Sequence, residues 1–216
     1  SPVSGGELRV LGMDPASHGP AIRARLGVCP QRDILDEDLS VEENLWVYGR
    51  FFGLSRAEVR ARADELLDFA QLTERRRDRV EPLSGGMKRR LNLTAGMIHQ
   101  PTLLVCDEPT VGVDPQSRRH IFEAIKRLRA DGMTILYTSH YMEEVRELCP
   151  RIAIMDHGQV VACDRVETLL ARERGTLRAL LEGEIAADLP GRLGLIPLGI
   201  QDGWASWSCQ EPDRIA

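Results

Sequence analysis

Residues 103–110 read Leu-Leu-Val-Cys-Asp-Glu-Pro-Thr: four apolar residues, two adjacent carboxylates and a proline. So short an apolar run with a turn signal behind it predicts a buried strand, Leu103–Cys106, that carries Asp107 and Glu108 to one edge of a sheet. On its N-terminal side the spacing predicts a helix over Met87–Ile98. On its C-terminal side it predicts helix Gln116–Ala130, strand Met133–Tyr137 and helix Tyr141–Leu148. This alternation predicts an α/β fold with a parallel sheet, its strands buried on both faces and its ligands held beyond the strands' C-terminal ends.

Further toward the N-terminus, Leu26–Cys29 reads as another strand, stopped at Pro30, which leaves Gln31 in a loop at a strand end. Glu7–Val10 also reads as a short strand. With nothing before it to start a sheet, and Ser1 as first residue, the expectation is a core whose N-terminal part is missing. Two capping boxes, Ser40 with Glu43 and Ser55 with Glu58, mark helix starts. The second helix carries Val59, Ala63, Leu66, Leu67 and Ala70 as one apolar stripe. About residues 32–82 read as an all-helical insertion, and the helical subdomain is placed at about 32–100. Ile152–Met155 and Gln159–Cys163 flank Asp156-His157-Gly158, a hairpin turn that uses glycine for positive φ. The main domain is expected over 1–164. A small α+β extension is expected over 165–216, with a helix near Val166–Leu181 and apolar segments Ile196–Ile200 and Trp204–Cys209.

The 216 residues suffice for one sizeable core. Twenty-eight basic residues against 33 acidic ones give a net charge of -5. No global positive field favours nucleic acid, so an anionic ligand must be held by local geometry. Five widely spaced cysteines without a C-x-x-C pattern argue against a disulfide framework or a zinc site and favour a reduced, cytosolic setting. No run approaches the roughly 20 apolar residues that cross a bilayer, and the N-terminus lacks a signal-peptide pattern.

The chemistry follows from placement. Asp107 suits a Mg²⁺ ion, directly or through water, and Glu108 suits the water that attacks a terminal phosphate. Pro109 is expected to hold Glu108 extended on a strand-like path. Ser84-Gly85-Gly86 precedes a helix, so Ser84 is a candidate N-cap and the glycines let a phosphate approach free N–H groups. His140 lies beyond the strand ending at Tyr137, at the same sheet edge. Gln31 alone is a weak signal, and Asp114 reads equally as a turn residue or an N-cap. The basic runs Arg75–Arg79 and Lys88-Arg89-Arg90 read as solvated faces. This order of features suits a nucleoside triphosphate. The loop G-x-x-x-x-G-K-S/T that cradles its phosphates is not among these residues, because the two lysines, Lys88 and Lys126, lack the preceding glycines.

Together these residues resemble the ATP-binding cassette of ABC transporters. Gln31 matches the Q-loop, Leu83–Met87 the signature loop and Leu103–Asp107 the Walker B strand. Glu108 matches the catalytic carboxylate, Val113-Asp114 the D-loop and His140 the switch histidine. The wording around Ser84 and Asp107 resembles the drug, polysaccharide and lipid exporter branch. Met87 stands in place of the more usual glutamine, and Asp164 where glycine is common. The Walker A loop and the adenine-stacking aromatic are missing.

The resemblance implies a P-loop NTPase-like core and ATP with Mg²⁺ as ligands, Gln31 and Asp107 serving the metal. It implies a head-to-tail dimer in which Ser84, Gly85 and Gly86 touch the partner's nucleotide. It also implies a transmembrane permease that docks on the helical insertion, a peripheral location on the cytoplasmic face of the membrane, and no nucleic-acid partner. A cassette ATPase of ribosomes or DNA, or a partner that lends only its signature loop, remain alternatives.

Overall fold

The computed structural model describes residues 5–172, 175–180, 195–201 and 204–209. The chain divides into two compact units, 1–148 and 149–216.

In the first unit a three-stranded parallel sheet has the order β1 (Leu26–Cys29), β2 (Leu103–Asp107), β3 (Thr134–Thr138). Leu26 pairs with Leu103, Cys29 with Cys106, and Asp107 with Thr138. The C-terminal ends of all three strands therefore meet at one edge, where Gln31, Glu108 and His140 follow them. Between β1 and β2 lie α2 (Val41–Phe51), α3 (Arg56–Phe69), a 3₁₀ turn (Thr73–Arg75) and α4 (Gly85–Ala95). Both capping boxes form as the sequence predicts, with Ser40 and Ser55 each exchanging bonds with the glutamate three residues on. Val41, Leu45, Val59, Ala63, Leu67, Leu91, Ala95 and Ile98 share one buried cluster, so α4 closes the helical core and also lies against the sheet. Where it crosses β1 the backbones nearly touch. A Cβ on Gly27 would come within 2.4 Å of the Gly96 carbonyl, and one on Gly96 within 2.6 Å of the Val28 carbonyl. α5 (Pro115–Ala130), β3 and α6 (Met142–Leu148) complete the unit.

Three expectations need correction, and one helix lies where none was predicted. Glu7–Val10 is no strand: Val10 and Met13 form an isolated bridge around Leu11 and Gly12, both at positive φ, which turns the chain back at once. Residues 15–23, with a proline at position 20, form α1 (Pro15–Arg23), capped by Asp14 and kinked at His18. Among the described residues of the first unit, the sheet is covered on one face only. Gly27, Cys29, Leu104 and Cys106 are buried, whereas Val28 is 42% and Leu136 57% exposed on the other face, so no second layer covers those side chains among the described residues. In the second unit β4 (Arg151–Asp156) and β5 (Gln159–Arg165) form the expected hairpin, with His157 and Gly158 at positive φ. The helix expected to reach Leu181 stops early as α7 (Val166–Arg172), and Gly175–Leu180 is instead β6. It pairs antiparallel with β8 (Trp204–Cys209), which also pairs with β7 (Leu195–Gln201). Sheet pairing with β8 overrides the helical pattern there.

Candidate functional site

At the strand ends Glu108 is the hub. Its Oε2 accepts a hydrogen bond from the Gln31 side-chain amide at 2.7 Å, and its Oε1 lies 3.0 Å from His140 Nδ1. A carboxylate only accepts, so His140 carries its proton on Nδ1 and turns Nε2 outward. The neighbouring Asp107 accepts from the Thr138 hydroxyl at 2.6 Å, and the same hydroxyl accepts from the Glu108 backbone N–H at 3.0 Å. Gln31, Asp107 and His140 are exposed and Glu108 is half-buried, so the carboxylates face solvent across an open rim.

Glu108 does not stay extended. Strand β2 ends at Asp107, and Glu108 turns into the left-handed region with φ at 44°. That conformation costs a non-glycine residue about 1–3 kcal/mol and persists only where its surroundings hold it. Thr138 binds the Glu108 N–H, and Arg89 binds its carbonyl oxygen at 3.2 Å. Arg89 is one of two buried residues that sequence reasoning missed. The charged run around it predicts a solvated face, yet Arg89 is only 4% exposed. Its guanidinium donates to the carbonyls of Pro30, Gln31, Asp107, Glu108 and Pro109. Its two neighbours are only partly buried: Lys88 pairs with Glu37, and Arg90 bonds the Ala70 carbonyl. Helical spacing alone could have shown that the three point in different directions.

A second buried group fixes the loop before His140. Glu144, 2% exposed, accepts from Thr110 at 2.7 Å, Ser139 at 2.9 Å and Tyr137 at 3.0 Å. Burial pushes the Tyr137 hydroxyl well above its usual range. One carboxylate thereby ties the segment after Glu108 to the segment before His140.

Ser84, Gly85, Gly86 and Asp114 form a separate cluster. Ser84 caps α4, accepting from Met87 N–H at 3.3 Å, and Asp114 caps α5, accepting from Ser117 N–H at 2.9 Å. Those backbone bonds hold the Asp114 carboxyl below its usual range. Gly86 is pressed against α5: a Cβ there would lie 2.0 Å from Ser117 Oγ and 3.0 Å from Asp114 Oδ2. Gly85 faces open space. The first amides of α4 have no acceptor within the helix and point outward past it. The structure thus gathers Gln31, Asp107, Glu108 and His140 at one locus and Ser84, Gly85, Gly86 and Asp114 at another, with Arg89 of α4 linking the two.

The chain also has recognisable relatives among known proteins. The chain is 45% identical over 174 residues to the linearmycin resistance ATP-binding protein LnrL of Bacillus subtilis, covering 81% of this chain and 56% of that protein. It is 42% identical over 197 residues to the Nod factor export ATP-binding protein I of Paraburkholderia xenovorans, covering 91% of this chain and 61% of that protein. The chain therefore spans a little over half the length of these curated relatives. The dimeric structure of a post-hydrolysis state of the ATP-binding cassette MJ0796, bound to ADP and Pi, superposes with a TM-score of 0.61 at 25% identity, over 71% of this chain and 68% of that one. The family model described as ABC transporter matches residues 2–111, just over half of the sequence, and with these relatives it establishes that the chain belongs to the ABC transporter family.

Proposed function

We propose that this chain is the ATP-binding and ATP-hydrolysing part of an ABC exporter, acting in a head-to-tail pair of cassettes beneath a membrane permease. The observation that carries this reading is Glu108, a carboxylate bonded at one oxygen to Gln31 and at the other to His140 on an open sheet edge. Such a group accepts a proton from an attacking water while its neighbours fix its direction. His140, held by Nδ1, turns Nε2 outward, where it donates to a phosphate oxygen when both ring nitrogens carry a proton. Gln31, holding Oε2, takes part in placing the water and senses whether the site is filled. Across the dimer, the Ser84 hydroxyl and the Gly85 and Gly86 amides approach the partner's nucleotide, where a helix start favours negative charge. Asp114, at the neighbouring helix start, belongs to the same contact.

Mg²⁺ fits the donor set. Asp107 offers an exposed hard oxygen and Gln31 an amide oxygen. Among the described residues no cluster of three or more His, Cys, Asp or Glu side chains forms a metal cage. An ion that keeps several waters and takes phosphate oxygens does not need one. When bound, Mg²⁺ neutralises charge on the phosphates. Among the described residues no helix is long and apolar enough to cross a membrane. In this reading the chain reaches the cytoplasmic face of the membrane through the permease, docked on the helical region. The assignment to an exporter is supported by the relatives' names, linearmycin resistance and Nod factor export.

The reading is tested by Glu108→Gln in the assembled transporter. Turnover is expected to fall about 10²- to 10⁴-fold with ATP binding retained, the range for loss of a general base; unchanged turnover would remove Glu108 from this role.

A further inference from the structure

Beyond the paired residues Cys29 and Cys106, β1 and β2 part, and the carbonyls of the two departing loops lose their ladder partners. Pro30 has no N–H to offer in return. A single buried side chain fills the gap. Arg89 Nε donates to the Pro109 carbonyl at 2.7 Å. Nη1 donates to Pro30 and, at 3.1 Å, to Gln31. Nη2 reaches Asp107 at 3.3 Å and Glu108 at 3.2 Å. The carboxylate near it is Asp33, at 3.6 Å. Arginine alone presents five donors in a planar fork, so no other side chain serves both loops at once.

We propose that Arg89 is a positioning residue: it clamps the Gln31 loop and the Glu108 peptide to each other and to α4, so that a displacement of the Ser84–Gly86 helix start is transmitted to the carboxylate. Arg89 lies five residues beyond Ser84, about 7–8 Å along a rigid helix axis. It holds the carbonyl of a residue in the left-handed region, whose N–H is held in turn by Thr138. Loss of the clamp frees Glu108 to relax and Gln31 to move independently of it. The inference rests on the hydrolytic role of Glu108 only for its effect on turnover; the clamp itself is a property of this chain.

Two measurements on the 216-residue chain test the clamp. In the wild type, the Arg89 guanidinium should give resolved, slowly exchanging Nη–H signals by NMR; a single averaged signal overturns it. In Arg89→Lys, which supplies three donors for five acceptors, hydrogen exchange should quicken at least ten-fold in both segments, 31–33 and 107–111, with α2 and α3 unchanged. Exchange that is unchanged, or equally faster everywhere, overturns it. If the lysine variant does not fold, the wild-type signals decide. In the assembled transporter Arg89→Lys should lower kcat at least ten-fold with KM for ATP unaltered. A change in KM alone contradicts the relay. A silent Glu108→Gln alongside altered exchange in Arg89→Lys would instead count against the hydrolytic reading and leave the clamp standing.

Discussion

Gly85 and Gly86 are adjacent in sequence and opposite in what they tolerate. A methyl group on Gly86 would collide with Ser117 Oγ and Cβ at 2.0 and 2.4 Å, whereas one on Gly85 meets nothing within 4 Å. Gly86→Ala is therefore expected to destabilise the packing of α4 on α5 by about 1–3 kcal/mol, the cost of overpacking a filled contact, read as a lowered thermal midpoint. Gly85→Ala should leave stability within about 0.5 kcal/mol of wild type, as for a surface site. Any loss of ATP-driven pairing in that variant then reports crowding of the ligand. A destabilised Gly85→Ala would contradict its open surroundings. At this scale the sequence revealed the polar candidates, since Gln31, Asp107, Glu108 and His140 all converge. It hid Arg89 and Glu144, because a charged side chain in a charged run gives no local sign of which carbonyls or hydroxyls tertiary packing will bring to it. It also misled over Glu108: the rule for a residue before proline favours extended backbone, and the bonds from Thr138 and Arg89 overrule it.

Among elements, the most exposed dependence on conditions sits where α4, β1 and the end of α2 meet. The His99 ring lies parallel to Phe52 with centroids 3.5 Å apart, and its Nε2 is 3.1 Å from the Leu26 carbonyl. A carbonyl only accepts, so Nε2 carries the proton and the buried Nδ1 has no partner. Burial, aided by the nearby charge of Arg62, pushes the His99 pKa below its ordinary 6.5. The unfolded chain then binds the proton more readily than the folded one. The neutral ring's contribution is complete above pH 6.5 and is lost as pH falls below it. Between pH 7 and about pH 5, the thermal midpoint should fall more steeply for wild type than for His99→Gln; parallel curves would refute the assignment. Helix starts were legible here because Ser-x-x-Glu satisfies its own orphan amides locally. Helix α1 was not, because Pro20 inside it and the kink at His18 break the periodic signal, while Asp14 and Pro15 supply only its start. The strand over 175–180 was equally hidden, since its partner β8 lies 24 or more residues away in sequence.

In the whole molecule, alternation of strand and helix gave the α/β architecture, but not the single-sided cover of its sheet. Burial on both faces is a rule about complete layers, and Leu136 at 57% exposure departs from it. Two lysines are present, and each is paired with a carboxylate: Lys88 with Glu37 and Lys126 with Glu147. The 216-residue chain alone therefore supplies no lysine for a triphosphate, and its affinity for ATP by titration calorimetry should be weaker than micromolar. Micromolar binding without a partner cassette would show that the Gln31, Asp107 and Glu108 cluster suffices by itself.

The register Cys29 opposite Cys106 also gives the site a chemical clock. Both thiols lie fully enclosed, Cys29 two residues before Gln31 and Cys106 one before Asp107. Enclosure pushes the Cys29 thiol up to about 11 and that of Cys106 upward as well, so neither reacts while the floor is shut. Cys163 is exposed and should alkylate at once. A slow second wave of alkylation at Cys29 and Cys106 would time how often the strand ends come apart, and a ligand or neighbour that fastens them should delay it.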